Sequence, residues 1–256
     1  MADSSFLVPE NKRVYFASDF HLGSPSPEIS LAREQKIVRW LNTIKTDAYS
    51  IYILGDVFDF WFEYKYTVPK GFVRLLGCFA ELRDAGITIE FFTGNHDMWM
   101  FDYFPREFGI NVHRKPVSVS FNGVKFLLGH GDGLGPGDHT YKFIKKFFEN
   151  KASQWLFQWI HPNLGIPLAN FLSKNSRDKN LKKDEEFLGD REWLLQYCRT
   201  VEQKEHHDIY IFGHRHYPID LNLNDNSRYI NLGDWMNHCT YAVLANKQVR
   251  LEKFEG

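Results

Sequence analysis

The chain has 256 residues, of which 43% are hydrophobic and 25% charged, an ordinary balance for a globular protein with a sizeable core. Its 31 basic and 32 acidic side chains give a formal net charge of −1, so no overall field favours nucleic acid as a partner. The three cysteines are far apart, no secretory signal is visible, and no apolar run reaches the ~18 residues of a membrane span. We expect a cytoplasmic protein with no obligate protein partner.

Short apolar runs alternate with helical patterns over the first hundred residues. The runs at 13–18, 50–54 and 87–93 predict strands, and the segments 27–45 and 69–85 predict helices between them. A β-α-β-α-β order of this kind indicates a sheet covered by helices.

The pattern changes to paired strands from residue 117. Segments 117–121 and 124–128 flank Asn122-Gly123, a dipeptide that suits a two-residue hairpin turn. Three further strands are predicted at 209–212, 228–232 and 241–244. The whole predicts an α/β fold with two stacked sheets and helices on their outer faces.

Residues 133–206 form a long region without a strand pattern. Helices are predicted there at 141–150, 153–160 and 185–205. Because this region separates two parts of the predicted sheets, we expect a helical cap inserted into a single domain that spans 1–256.

Five polar segments each follow a predicted strand. They are Asp19-Phe20-His21, Gly55-Asp56-Val57-Phe58-Asp59, Gly94-Asn95-His96-Asp97, Gly129-His130-Gly131-Asp132 and Gly213-His214-Arg215-His216. In α/β folds the carboxyl ends of strands form sites, and glycines there allow sharp backbone turns. A single such segment is more often a turn or a surface histidine, but five in one chain favour a shared site.

The side chains of these segments are those of a metal centre. Carboxylate, amide and imidazole ligands suit Mn²⁺, with Fe or Zn²⁺ also compatible. The candidate ligands are Asp19, His21, Asp56, Asn95, His130, His214 and His216. Seven ligands exceed the needs of one ion and are enough for two divalent ions that share Asp56.

In order and spacing, the five segments resemble the blocks of the calcineurin-like metallophosphoesterase superfamily. The resemblance covers residues 19–216 and implies a four-layer fold, a two-sheet β-sandwich flanked by helices. It also implies that Asp19, His21, Asp56 and His216 hold one ion, and that Asp56, Asn95, His130 and His214 hold the other.

The same resemblance implies catalytic roles beside the metals. His96 would protonate the leaving group or stabilise the developing charge, and Asp97 would orient His96. Asp59 is the third catalytic candidate.

A narrower resemblance concerns the substrate. The segments 55–61, 130–134 and 232–235, with Asp138 and Tyr141, are similar to the UDP-2,3-diacylglucosamine diphosphatases of lipid A synthesis. That family cleaves the UDP-sugar pyrophosphate to UMP and a lipid sugar 1-phosphate, and carries a helical cap after its His-Gly-Asp block. The best-known branch has Arg where this chain has His96, which leaves the exact substrate open.

The predicted cap has a composition that suits an acylated substrate. Trp155 and Trp159 belong to a crowded apolar stretch, which either forms an acyl-binding groove or packs on the sandwich as core. Lys174 and Arg177 either contact the diphosphate or lie in a solvated charged loop. With Asp138 and Tyr141, these residues are the candidate substrate contacts.

Taken together, the sequence predicts a two-metal hydrolase of a UDP-linked diacylated glucosamine, bound peripherally to the inner membrane surface. One alternative is a soluble phosphodiesterase or nucleotide phosphatase with the same metals. A non-catalytic scaffold on the same fold is a second alternative, but such a scaffold is expected to have lost ligands, and none is missing from the sequence.

Overall fold

The computed structural model describes residues 4–137, 139–184 and 187–256, and their side chains except for residues 140 and 174–184. Its strands are β1 Ser4–Phe6, β2 Arg13–Ala17, β3 Ala48–Leu54, β4 Thr88–Phe92, β5 Asn111–His113, β6 Val117–Phe121, β7 Val124–Gly129, β8 Ile209–Phe212, β9 Pro218–Asn222, β10 Arg228–Leu232, β11 Thr240–Ala245 and β12 Gln248–Lys253. Its α-helices are α1 Pro27–Ile44, α2 Val73–Asp84, α3 Tyr103–Phe108, α4 His139–Glu149, α5 Lys151–Gln158, α6 Pro162–Asp184 and α7 Trp193–Glu202.

Two six-stranded mixed sheets form the centre of the molecule. One has the order β12-β11-β2-β3-β4-β5, and the other has the order β1-β6-β7-β8-β10-β9. Strands β2 to β5 run parallel, as do β7, β8 and β10. The carboxyl ends of β2, β3 and β4 therefore lie at one edge of their sheet, as do those of β7 and β8 in the other.

The alternation of side chains along β2 shows how the layers form. Val14 and Phe16 are fully buried in the cluster between the two sheets. Tyr15 and Ala17 point the other way and join the cluster under α1. Both faces of this strand are covered because successive side chains of a strand point to opposite faces of the sheet.

Helices cover both outer faces of the pair of sheets. Trp40 of α1 and Phe79 of α2 are buried against the first sheet. Leu194 and Cys198 of α7 are buried against the second. The four layers confirm the predicted fold class.

The predicted hairpin at Asn122-Gly123 is confirmed. Both residues have positive φ, 50° and 85°, and Val117↔Leu128 to Phe121↔Val124 pair in antiparallel register. Positive φ at both central residues is the backbone of a two-residue turn that matches strand twist.

The helical region departs from the sequence prediction in two places. Residues 162–184 form helix α6, so the backbone of Lys174 and Arg177 is helical rather than part of a loop. The predicted helix at 185–205 is shorter: a 3-10 turn at Gly189–Arg191 precedes α7, and residues 185 and 186 lie outside the described residues. Because α7 packs on a sheet, we propose that the cap itself comprises α4, α5 and α6.

None of the described helices combines the length and the apolar character that crossing a bilayer requires.

Candidate metal centre

The predicted ligands lie on the loops that follow β2, β3, β4, β7 and β8. Five of the seven have positive φ: Asp19 (57°), His21 (44°), Asp56 (52°), His214 (69°) and His216 (53°). Residues other than glycine rarely adopt this conformation, and its cost of about 1–3 kcal/mol each is typical of functional sites. The loops therefore hold strained backbone where the polar side chains meet.

Asp19, His21, Asp56 and His216 form the first group of candidate ligands. One ligand atom from each lies within 4.8 Å of the others. His21 Nε2 is 3.1 Å from His216 Nε2 and 3.6 Å from Asp56 Oδ2. His216 Nε2 is 3.2 Å from Asp19 Oδ1. These separations are those of donors that point at a common centre.

Asp56, His130 and His214 form the second group under the same 4.8 Å limit. His130 Nε2 lies 3.4 Å from Asp56 Oδ2 and 3.3 Å from Asn95 Oδ1, which adds Asn95 to this group. His130 Nδ1 is 2.7 Å from the carbonyl of Leu54, so it carries the proton and leaves Nε2 as the ligand atom. Asp56 belongs to both groups.

The buried carboxylates provide a test of whether cations fit. Asp19 Oδ1 and Asp56 Oδ2 are buried and accept no hydrogen bond from any described residue. The groups beside them are imidazoles, whose nitrogens lie 3.2 to 3.7 Å away, and buried carboxylate oxygens without a hydrogen bond are costly unless a cation coordinates them. Burial alone would lower the pKa of His21, but Asp19 and Asp59 raise that pKa to about 10, so the site strongly favours positive charge. Carboxylate and imidazole donors without thiolate fit a divalent ion such as Mn²⁺, Fe²⁺ or Zn²⁺.

Gly94 and Gly213 allow the loops to approach this closely. A Cβ at Gly94 would collide with the Asp56 carboxylate, and one at Gly213 would lie 2.5 Å from Asp19 Oδ2. The glycines in these two segments are therefore required for space.

His96 lies at the rim of the first group. Its backbone N–H donates to Asp56 Oδ1 over 2.9 Å, and its ring centroid is 4.9 Å from that of His21. His96 Nδ1 is 3.0 Å from the carbonyl of Asp59, so Nδ1 carries the proton and Nε2 is left for proton exchange. Burial lowers the pKa of His96, and the nearby Asp56 carboxylate offsets only part of that shift.

The expected contact between Asp97 and His96 is not found among the described residues. The Asp97 carboxylate instead accepts hydrogen bonds from the backbone N–H groups of Val57 and Gly94, both over 2.7 Å. It therefore ties the loop after β3 to the loop after β4, because a carboxylate can accept from several donors at once. Burial, followed by the charge of Asp56, raises the pKa of Asp97 to about 7.

Asp59 and Ser173 are the residues that contact the His96 ring nitrogen. Ser173 Oγ of α6 lies 2.6 Å from His96 Nδ1 and donates to the Asp59 carbonyl over 2.8 Å. Asp59 Oδ1 is also 3.4 Å from His21 Nδ1. Sequence reasoning missed Ser173, because nothing in the sequence links it to a partner 77 positions away.

The other predicted substrate contacts have different surroundings. Tyr141 donates through Oη to Asp132 Oδ2 over 2.7 Å, next to the second group. Trp155 and Trp159 are 57% and 74% exposed, so they are not core of the sandwich. Asp138 lies outside the described residues, as do the side chains of Lys174 and Arg177.

Arg215 stands between His214 and His216 but points away from the ligands. Fully buried, it forms two hydrogen bonds to Glu192, from Nε over 2.9 Å and from Nη2 over 3.0 Å. Its guanidinium also lies 4.9 Å from the centre of the Trp193 ring. The pair fixes the His214–His216 loop to the start of α7, a role that sequence reasoning did not assign.

Comparisons with known proteins match nearly the whole chain. The family described as Calcineurin-like phosphoesterase matches residues 12–218. UDP-2,3-diacylglucosamine hydrolase of Porphyromonas gingivalis is 38% identical over 95% of this chain and 98% of its own. The protein of the same name from Aeromonas salmonicida is 28% identical over 93% and 92%. Among solved structures, vacuolar protein sorting 29 of Cryptosporidium parvum has a TM-score of 0.47 and 13% identity, over 95% of this chain and 97% of that one.

Proposed function

The chain belongs to the calcineurin-like phosphoesterase family, and we propose that it cleaves the pyrophosphate of a UDP-linked diacylated glucosamine to UMP and a lipid sugar 1-phosphate. The observation that carries the proposal is the pair of ligand groups that share Asp56. Two centres with a common carboxylate are the arrangement of two-metal phosphoryl hydrolases.

We assign Asp19, His21, Asp56 and His216 to one ion, and Asp56, Asn95, His130 and His214 to the other. When bound, two divalent ions supply an activated water and charge stabilisation on the phosphoryl oxygens. We propose Mn²⁺ for both, on the basis of the mixed carboxylate, amide and imidazole donors.

In its imidazolium form, which the negative charge of a bound diphosphate would favour, His96 would give its Nε2 proton to the leaving phosphate and return to the neutral form that keeps the Nδ1 proton. Its Nδ1 proton faces the Asp59 carbonyl and the Ser173 hydroxyl, which fixes the ring and leaves Nε2 as the exchanging nitrogen. Asp59 would orient both His21 and His96, and Asp97 would keep the two loops in register. The catalytic candidates thus divide into one proton donor and two positioning residues.

The substrate part of the proposal is supported by the cap and by the names of the relatives. The two relatives described above are named as hydrolases of UDP-2,3-diacylglucosamine. The cap carries exposed apolar side chains that acyl chains would cover. They are Phe143, Phe147, Trp155, Leu156, Trp159, Leu164, Leu168, Phe171 and Leu172.

The same apolar surface supports peripheral binding to the inner face of the cell inner membrane. Exposed tryptophans beside lysines suit the interface between acyl chains and anionic headgroups. We propose that the protein takes its substrate at this surface.

The proposal is tested by incubating the purified protein with Mn²⁺ and UDP-2,3-diacylglucosamine and identifying the products. We expect UMP and the lipid 1-phosphate in equal amounts, and none from the Asp56→Asn variant. If bis-p-nitrophenyl phosphate or a nucleoside monophosphate is cleaved with a higher kcat/KM than the acylated substrate, the protein is a soluble phosphodiesterase or nucleotide phosphatase instead.

A further inference from the structure

A cavity of about 370 Å³ opens beside the second ligand group. His130 and Asp132 form part of its wall, so the cavity adjoins the candidate metal centre. We call it the basic cavity, after its five cationic side chains Arg114, Lys115, Lys142, Lys145 and Lys146. Its volume lies in the range of about 300–1,000 Å³ that small-molecule sites usually have.

The basic cavity keeps most of its positive charge. Its acidic side chains are Asp132 and Glu149. Asp132 is paired with Lys145, whose Nζ lies 2.6 Å from Oδ2, and also accepts the Tyr141 hydroxyl. Glu149 is 3.9 Å from the same Lys145 ammonium. The two carboxylates are therefore gathered around a single lysine.

The remaining cations have no carboxylate partner among the described residues. Arg114 donates to the carbonyls of Met98 and Met100, and Lys142 donates to a carbonyl of the 133–137 loop. Carbonyl oxygens fix these side chains in place without cancelling their charge. Lys115 and Lys146 are exposed, and no described carboxylate lies within 4 Å of them. The cavity is thus suited to an anion.

We propose that the basic cavity binds the nucleotide half of the substrate, the uridine monophosphate group released by cleavage. The inference rests on the proposed function, because it takes the uridine nucleotide from that reaction. In an in-line displacement at phosphorus, the two substituents of the pyrophosphate extend in different directions from the metals. One of them must leave toward a polar, cationic space and the other toward an apolar one.

The two faces of α4 separate these spaces. Lys142 and Lys146 face the basic cavity, whereas Phe143 and Phe147 are 74% and 60% exposed outside it. Neither Trp155 nor Trp159 lines the cavity. The acyl chains therefore belong on the aromatic face, and the cationic face is left for the phosphate and ribose. Pro116 and Leu134 supply an apolar wall for the uracil ring.

The test is the affinity of UMP for the full-length protein with Mn²⁺, measured by calorimetry for Lys115→Glu and Lys146→Glu. We expect each charge reversal to weaken UMP binding roughly tenfold, which corresponds to about 1.4 kcal/mol. Lys151→Glu is the matched control, because Lys151 is an exposed cap lysine that does not line the cavity, and it should leave UMP affinity unchanged. Glucose 1-phosphate, a phosphate monoester without uridine, should bind the unaltered protein more weakly than UMP, because it lacks the base that Pro116 and Leu134 would contact.

Two results would overturn the assignment. One is unchanged UMP affinity in both cavity variants, and the other is an equal loss in Lys151→Glu, which would reduce the effect to long-range charge. Failure of the proposed function looks different. In that case the unaltered enzyme would not cleave UDP-2,3-diacylglucosamine, while UMP would still bind and the two cavity variants would still bind it more weakly.

Discussion

Asp56 lies between the two halves of the candidate metal centre, with Oδ2 at 3.6 Å from His21 Nε2 and 3.4 Å from His130 Nε2. Asp56→Asn keeps the size of the side chain and removes the charge that both ions would share. Loss of a residue that only hydrogen-bonds to a metal ligand lowers metal affinity roughly 10–100-fold. We expect at least that loss of Mn²⁺ affinity here, with activity close to background. Metal analysis after dialysis against Mn²⁺ checks this. Two retained ions would disprove the bridging role.

His96 should behave differently, since we propose it as a proton donor and not as a ligand, although its ring lies near His21 and Asp59. His96→Ala is expected to retain its metal content while kcat falls roughly 10²–10⁴-fold, the usual scale for a lost general acid. Metal analysis and steady-state kinetics on the same preparation separate the two effects. Loss of metal in this variant would make His96 a ligand.

Ser173 offers a finer test of how His96 is held. Ser173→Ala removes the hydroxyl 2.6 Å from His96 Nδ1, and a neutral hydrogen bond contributes about 0.5–1.5 kcal/mol. We expect kcat to fall by up to roughly tenfold, with KM for a soluble diester and Mn²⁺ content unchanged. Ser173→Thr, which keeps the hydroxyl, should restore most of kcat. Equal effects of both variants would mean that only helix packing has changed.

The proximity of the seven candidate ligands could be predicted from the sequence, because each of them lies in a short segment after a strand. The residues that orient the set could not. Ser173 is 77 positions from His96 along the chain, and Glu192 is 23 positions from Arg215. A single Ser or Glu carries no local sequence pattern that would reveal such a partner. Asp97 was found by its segment, but its partners are backbone amides, which no sequence pattern reveals.

At the level of elements, the strands that the sequence did not predict are the four edges of the two sheets. They are β1, β5, β9 and β12. Few of their residues are buried, and all three residues of β1 are exposed, so these strands lack the apolar runs of central strands. Periodicity detects burial, and edge strands are held mainly by backbone hydrogen bonds that every sequence can form.

Two helices also departed from their patterns for physical reasons. Helix α2 begins at Val73, after Gly71 and Phe72 with φ of 116° and 56°, and Glu34 of α1 accepts its first N–H groups. Helix α6 was missed because it contains Gly165 and Pro167 in its second turn, where both residues usually end a helix.

The Arg215–Glu192 pair connects α7 to the loop that carries His214 and His216. Arg215→Ala would leave Glu192 buried without its partner, and we expect a loss of about 3–5 kcal/mol in the free energy of unfolding. Because two candidate ligands flank Arg215, the rise in Tm on adding Mn²⁺ should shrink as well. Arg215→Lys keeps the charge but cannot form both hydrogen bonds to Glu192. Its free energy of unfolding and its rise in Tm with Mn²⁺ should therefore lie between those of the unaltered protein and those of Arg215→Ala.

Arg228 provides the matched comparison for this variant. Its ion pair with Asp220 is about 30% exposed on both sides, and pairs of this kind contribute up to about 1 kcal/mol. Arg228→Ala should therefore lower Tm slightly and leave the Mn²⁺ effect intact. A normal Mn²⁺ effect in Arg215→Ala would show that the pair stabilises the fold without positioning the ligands.

At the scale of the whole molecule, the sandwich and the cap differ in where they place their aromatic side chains. The sandwich buries its aromatic side chains between layers, whereas the cap leaves many of its own exposed. Some cap residues pack inward: the Phe157 ring centroid lies 4.7 Å from that of Phe62 and 4.9 Å from that of Trp99, and the Phe148 ring centroid lies 5.5 Å from that of Trp99. The cap is thus held to the sandwich by aromatic and polar contacts on one face and exposes apolar side chains on the other, which is the arrangement expected of a binding surface.

Trp155 and Trp159 test this division, because they are exposed and their ring centroids are 6.0 Å apart. Each replacement by Ser should raise KM for the acylated substrate, since a large apolar side chain that becomes fully buried contributes roughly 1.5–3 kcal/mol. Cleavage of bis-p-nitrophenyl phosphate should change little, because the candidate metal ligands are carried by the sandwich. Leu7→Ser, at an 84% exposed position on the first residues of the sandwich, is the control and should affect neither substrate. The decisive quantity is the ratio of the two kcat/KM values. A parallel fall in both would mean that the tryptophans support the fold, and the acyl-binding role of the cap would be lost.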